Sequence, residues 1–285
     1  MKKLEQIVWG LFALNGASVL ISTIALFLSA SYAQSIGYKG TVLLIPSLMM
    51  ILHAVYFLGI RKSVLFLSIA AGIGFLFEYV GLHYGVIFGG NYTYSMAGPE
   101  IGDVPIFVVL FWAIFIYTGY SITNSFFTWT HREKFLSSRK MIVPLVLLDG
   151  YIVLAIDLFM DPIQVAGGNW TWIEGGQYFG VPIGNFIGWF SVAVLSCAIF
   201  RYFESFSVSK QQNKNKRLLL VSVIGYGFIY TLLTTHAIIY HLYWLILYGS
   251  IFMGPVIVLN LFLYLISFSY DSPDRGGHKQ RRLSG

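Results

Sequence analysis

The chain has 285 residues, 57% of them hydrophobic and 11% charged, with a mean hydropathy of +0.73. A soluble domain carries about 25% charged residues, so a water-facing surface cannot be assembled here and lipid must solvate most of the chain. The net charge of +6 does not indicate a nucleic-acid partner, because the basic residues sit in short loops between apolar runs and form no continuous patch. The first run, Ile7 to Ala30 behind Lys2 and Lys3, is longer than a signal-peptide core and lacks a clear cleavage site, so it reads as a spanning helix. Seven further apolar runs follow, and a spanning helix needs about 20 such residues. Together the eight expected spans cover 6–30, 41–60, 63–82, 104–129, 141–158, 183–206, 217–238 and 242–269. The fold class expected is therefore all-α: a polytopic integral membrane helix bundle forming a single transmembrane domain over 1–270, with a disordered basic tail at 271–285.

The basic residues orient these spans. Lys2 and Lys3, Arg61 and Lys62, Arg132 to Lys140, Arg201 to Arg217, and Arg275 to Arg282 all fall on one side if the count is eight. Only Lys39 falls on the other. The positive-inside rule places both termini in the cytoplasm, with the chain in the cell membrane. The loops 83–103 and 160–182, which carry no Lys or Arg, then lie on the outer face.

Those two loops repeat each other. Gly89-Gly90-Asn91-Tyr92-Thr93-Tyr94 is followed by Val104-Pro105 and Trp112; Gly167-Gly168-Asn169-Trp170-Thr171-Trp172 is followed by Val181-Pro182 and Trp189. Glu78 precedes the first at nearly the distance at which Asp157 precedes the second. Spans 3–4 and 5–6 thus read as duplicated hairpins, about 63–130 and 141–206, in the same membrane orientation. Gly-Gly-Asn turns and interfacial aromatics would explain the loops by themselves. They do not explain the acids.

An ionisable residue within a span costs about 2.5–3.5 kcal/mol on insertion scales and is a functional candidate by default. Glu78, Asp149, Asp157 and Asp161 qualify, and no Lys or Arg lies near them in sequence on the outer side. Asp157 and Asp161 stack at i,i+4 if the helix extends that far, although Pro162 is expected to end it. Glu174 reads as solvated, and Glu204 reads as the partner of Arg201. A buried acid without a cation favours its neutral form, which makes it a proton donor. Cys197 is alone, so no disulfide or cysteine metal site is available. His53, His83, His236 and His241 show no metal-binding spacing, and there is no dinucleotide fingerprint, P-loop or nucleophile elbow. Neither metal nor cofactor is expected.

A protonated acid in a dry aromatic pocket can protonate an isolated alkene. Tyr and Trp faces stabilise the resulting tertiary cation by roughly 0.5–2 kcal/mol each. Water capture of that cation is hydration, internal capture is cyclisation, and proton loss is isomerisation.

The stretch from Glu78-Tyr79-Val80-Gly81 through Tyr94 resembles the CruF-type carotenoid biosynthesis membrane proteins, a family of carotenoid 1′,2′-hydratases and bisanhydrobacterioruberin hydratases. So does the block Asp157-Leu158-Phe159-Met160-Asp161-Pro162, Trp170-Thr171-Trp172, Tyr178-Phe179-Gly180-Val181-Pro182 and Asn185-Phe186-Ile187-Gly188-Trp189. The resemblance implies water addition to the terminal C1′–C2′ double bond of an acyclic carotenoid, with carotenoid, water, membrane lipid and other carotenoid pathway enzymes as partners. It carries over no catalytic residues. From the residues themselves, Asp157 or Glu78 is expected to donate the proton, with the other acid and Asp161 positioning and deprotonating water. Asn91, Asn169 and Asn185 would hydrogen-bond water or the acids, and Tyr92, Tyr94, Trp112, Trp170, Trp172, Tyr178 and Trp189 would line the end-group pocket. A lycopene cyclase-type reaction, a proton-coupled carrier and a purely structural membrane protein remain the rivals.

Overall fold

A computed structural model describes residues 2–28, 41–95, 98–206 and 214–271. Lys39, Lys210 and the basic tail beyond Asp271 lie outside the described residues. Among the described residues, eight α-helices account for the eight expected spans: α1 (Lys2–Leu28), α2 (Thr41–Leu58), α3 (Ile60–Tyr84), α4 (Ile106–Trp129), α5 (Ile142–Ala166), α6 (Ile183–Ser205), α7 (Leu220–Ile239) and α8 (Tyr243–Asp271). Seven are long and apolar enough to cross a membrane; α2, apolar over Leu44–Leu58, is shorter. The protein is an all-α multi-pass membrane bundle.

Sequence punctuation sets the helix ends. Gly59 at φ 79° turns the chain between α2 and α3, leaving no room for a loop. α3 stops at Gly85, whose left-handed φ of 65° returns its N–H to the Gly81 carbonyl. Pro105 and Pro182, at φ −61° and −67°, immediately precede α4 and α6, so the repeated Val-Pro starts both second helices alike. Helix α5 corrects the expected boundary. Instead of ending near residue 158, it runs through Pro162 to Ala166. Proline removes one backbone donor, and buried packing around the helix, including fully buried Phe159 and Ile163, outweighs that loss.

The helices α3, α4, α5 and α6 form a closed ring, with neighbours packing in the order α3–α4–α5–α6–α3 and only slight contact across the diagonal between α4 and α6. This is the duplicated hairpin pair of the sequence. Helix α4 is the most buried of the spanning helices, because α8, α2 and α7 pack on the ring's outside and α1 closes over α2 and α7.

The two repeated loops meet. Strand β1 (Tyr92–Tyr94) pairs antiparallel with β4 (Trp170–Trp172), Thr93 opposite Thr171, while β2 (Glu100–Ile101) pairs with β3 (Val104–Pro105) inside the first loop. An antiparallel pair centred on equivalent residues has local two-fold symmetry, the relation a parallel duplication produces about the membrane normal. The paired strands cap one end of the ring.

Candidate active site

Beneath that cap the repeat brings its matched residues together. Trp112 and Trp189, equivalent in the two hairpins, pack with ring centroids 4.0 Å apart and their planes tilted by 34°. Glu78 of α3 and the Asp157–Asp161 face of α5 flank them, all three acids being buried. A small cavity of about 20 Å³ lies between, lined by Glu78, Tyr92, Tyr94, Trp112, Asp161, Trp170, Trp172, Asn185 and Trp189 together with Phe88, Val108, Phe111 and Met160. One water molecule needs about 10–15 Å³ of such space, so the chamber has room for one.

The frame is symmetric and the chemistry is not. Glu78 accepts three hydrogen bonds: Tyr92 Oη and Tyr94 Oη donate to Oε2 at 2.7 and 2.8 Å, and Trp112 Nε1 donates to Oε1 at 3.0 Å. Burial, reinforced by the neighbouring Glu78, holds both tyrosine hydroxyls above the ordinary phenol range, so they stay protonated and keep donating. Three converging donors satisfy both oxygens of the Glu78 carboxyl group.

The second hairpin differs. Asn185 Nδ2 donates to Asp157 Oδ2 at 3.0 Å and to Asp161 Oδ2 at 2.7 Å. Oδ1 of each acid is buried without a hydrogen-bond partner. Among the described residues no Lys, Arg or His forms an ion pair with Asp157, Asp161 or Glu78. Asp157 and Asp161 thus share a single donor, an arrangement of two buried carboxyl groups that suits one shared proton. Asp161 faces the cavity and Asp157 sits behind it. The helical extension through Pro162 makes this possible, since it places both acids on one face, one turn apart.

Three expected site residues lie elsewhere. Asn91 is exposed, and its backbone carbonyl accepts from Ile173. Asn169 donates to Gln164 Oε1 at 2.6 Å, fastening its own loop. Tyr178 packs among Phe179, Phe186 and Tyr248. Phe88, Val108, Phe111 and Met160 line the cavity without having been anticipated. Phe88 directly precedes the repeated Gly-Gly-Asn and its carbonyl accepts from Trp172 Nε1 at 2.9 Å, but the matching position in the second loop is Ala166, so the repeat gave no signal for it.

Two readings of the acids are corrected. Asp149 has a cation after all: Arg201 grips it from α6 through Nε at 2.6 Å and Nη2 at 2.8 Å. Arg201 therefore does not pair with Glu204, which accepts from Tyr120 Oη at 2.8 Å. Asp149 and Arg201 are 52 positions apart in the chain, so only the packing of α5 on α6 reveals the contact. Asp149 also sits in the half of α5 remote from the cap, away from the cavity.

A glycine sets how Trp112 approaches Glu78. A Cβ at Gly74, one turn before Glu78, would lie 2.4 Å from Trp112 Cγ. Gly74→Ala is expected to displace the indole and to lower stability by about 1–3 kcal/mol. Intrinsic fluorescence and thermal unfolding in detergent would register both changes. A variant with unaltered spectrum and melting temperature would contradict this packing.

The sequence model of a family described as carotenoid biosynthesis protein matches residues 38–256. No curated protein and no solved structure matches the chain.

Proposed function

Because the chain belongs to the carotenoid biosynthesis protein family, we propose that it is a carotenoid hydratase, a carbon–oxygen lyase working in the hydration direction on the terminal C1′–C2′ double bond of an acyclic carotenoid such as bisanhydrobacterioruberin. The observation that carries this reading is the one-water chamber walled by Trp and Tyr, with an acid pair on one side and a carboxylate held by three donors on the other.

In this reading Asp161, backed by Asp157 and held by Asn185, delivers a proton to C2′. The π electrons form the new C–H bond and leave a tertiary cation at C1′. The faces of Trp112, Trp189, Trp170 and Trp172 and the Glu78 carboxylate stabilise that cation. Water adds to C1′, its oxygen supplying both electrons of the new C–O bond, and gives its proton to Glu78. Proton transfer back to the aspartate pair restores the site, and the net change is the addition of one water. Asp161 becomes the donor and Glu78 the base because the pair has too few hydrogen-bond donors for two charges, whereas Glu78 has three. The same reading keeps both termini cytoplasmic and puts the chamber near the outer face, where membrane-dissolved carotenoid and water are both at hand.

The rival is cyclisation, in which an internal double bond captures the cation. Space for a water beside Asp161 and Glu78, where the cation would form, supports hydration over capture by an internal double bond. Expression in a host that accumulates an acyclic carotenoid should yield a pigment heavier by one water and bearing a tertiary alcohol. A ringed product of unchanged mass would transfer the protein to the cyclases, and unchanged pigment would refute both.

A further inference from the structure

We infer that the groove between α1, α2, α4, α5 and α7 is the seat of the carotenoid's polyene chain, and that Phe111 and Met160 form the partition through which its end group enters the acid chamber; this rests on the hydratase reading for the identity of the occupant.

The acid chamber is too small for an isoprenoid end group, so the substrate must reach it through a wall that yields. A second, larger cavity of about 180 Å³ lies on the other side of that wall. Phe111 and Met160 are the two side chains that line both cavities. Met160 is flexible and unbranched, a side chain suited to moving aside, and it sits between Asp157 and Asp161 in sequence, so its displacement opens directly onto Asp161.

The shape of the larger cavity fits a long, thin occupant. On α7 its lining residues recur at 222, 225, 229, 232 and 236, alternating steps of three and four that mark one continuous helix face. From Ser222 to His236 that face spans about 21 Å at 1.5 Å per residue. The hydrocarbon core is about 30 Å thick, so the groove runs through most of it. Its lining is predominantly apolar, and it is partly open towards the surroundings. A rigid conjugated chain loses little conformational entropy when held along such a groove, in contrast to a flexible acyl chain. The continuity with the acid chamber sets the direction: the end group lies at Phe111 and Met160 and the remainder follows α7.

Gly225 is the position at which to block it. It lines the groove, and a Cβ there would meet only Met49 Cε at 3.8 Å, an ordinary contact. A Cβ there meets no backbone atom, so a larger side chain at this position starts from open space in the groove wall. Ala25 on α1 also lines the groove, so a larger side chain there narrows it from a second helix. Gly227, also on α7, is absent from the lining and has open space around it, so Gly227→Trp serves as the control.

The test is lycopene binding to the full chain in phospholipid nanodiscs, followed by tryptophan fluorescence quenching and independent of turnover. Gly225→Trp and Ala25→Trp should each raise Kd by about tenfold, with Gly227→Trp matching the wild type. Unchanged Kd in both groove variants, or equal loss in the Gly227→Trp control, would overturn the groove assignment. So would a wild-type protein that retains phospholipid in the groove and takes up no lycopene. Intact binding with no hydrated product from any acyclic carotenoid would sink the hydratase reading and leave the polyene seat standing.

Discussion

Asp161→Asn is expected to lower formation of the tertiary alcohol by about 10²–10⁴-fold, the usual contribution of a positioned general acid. The amide keeps the size of the carboxyl group beside Asn185 and Asp157 but carries no proton acidic enough for an alkene. Asp157→Asn should be damaging to a smaller degree, because Asp157 is buried behind Asp161 and acts through it. Glu78→Gln should fail differently. Its amide nitrogen brings two donors into a site where Tyr92, Tyr94 and Trp112 already donate, so at least one of those bonds is lost, and the base is lost with it. Pigment chromatography of cells expressing each variant, normalised to folded protein, reads all three. Full yield of hydroxylated pigment from Asp161→Asn would remove Asp161 from the donor role, whatever the other two variants do.

The largest effect on stability is expected far from this chamber. Asp149 and Arg201 form a bidentate pair, with Asp149 fully buried and Arg201 3% exposed. Asn124 Oδ1 accepts from Arg201 Nη2 at 3.2 Å, and the guanidinium lies 4.4 Å from the Tyr120 ring centroid. Removing one partner leaves an uncompensated buried charge, which typically costs about 3–5 kcal/mol. Asp149→Leu and Arg201→Met should each lose stability on this scale, while the double variant should recover most of it, because neither charge then remains. Thermal unfolding of the three proteins in detergent tests this directly. A double variant no better than the worse single would show that the pair fastens α5 to α6 through its shape instead of through charge compensation. Residual folded protein from any of them should retain the chamber, since neither Asp149 nor Arg201 lines it.

The eight helices were legible from composition and hydropathy because lipid imposes one demand on every segment: about 20 apolar residues with all backbone hydrogen bonds made internally. Seven of the eight helices begin or end within a few residues of the expected positions at both ends; α5 is the exception. There, a proline that terminates isolated helices is carried by packing that no local rule contains. The parallel repeat was legible too, since duplicated spacing is a property of the chain. That its two loops would pair as β1 and β4 across a local two-fold was not, because strand pairing joins residues some 80 positions apart.

The acids show the same division most sharply. Sequence singled out Glu78, Asp157 and Asp161 by the simple cost of charge in a membrane span, and the structure brings all three to one end of the ring. Sequence also placed Asp149 in that company, and only the fold separates it, by supplying Arg201 from another helix. Likewise, the repeat makes Glu78 and Asp157 look equivalent. Their difference lies in what surrounds them: two tyrosines and an indole for one, a single asparagine and a second acid for the other. Hydrophobic length and repeat spacing act along the chain and can be read from it. The partners that set the charge state of a buried group act through space, and they exist only once the helices have packed.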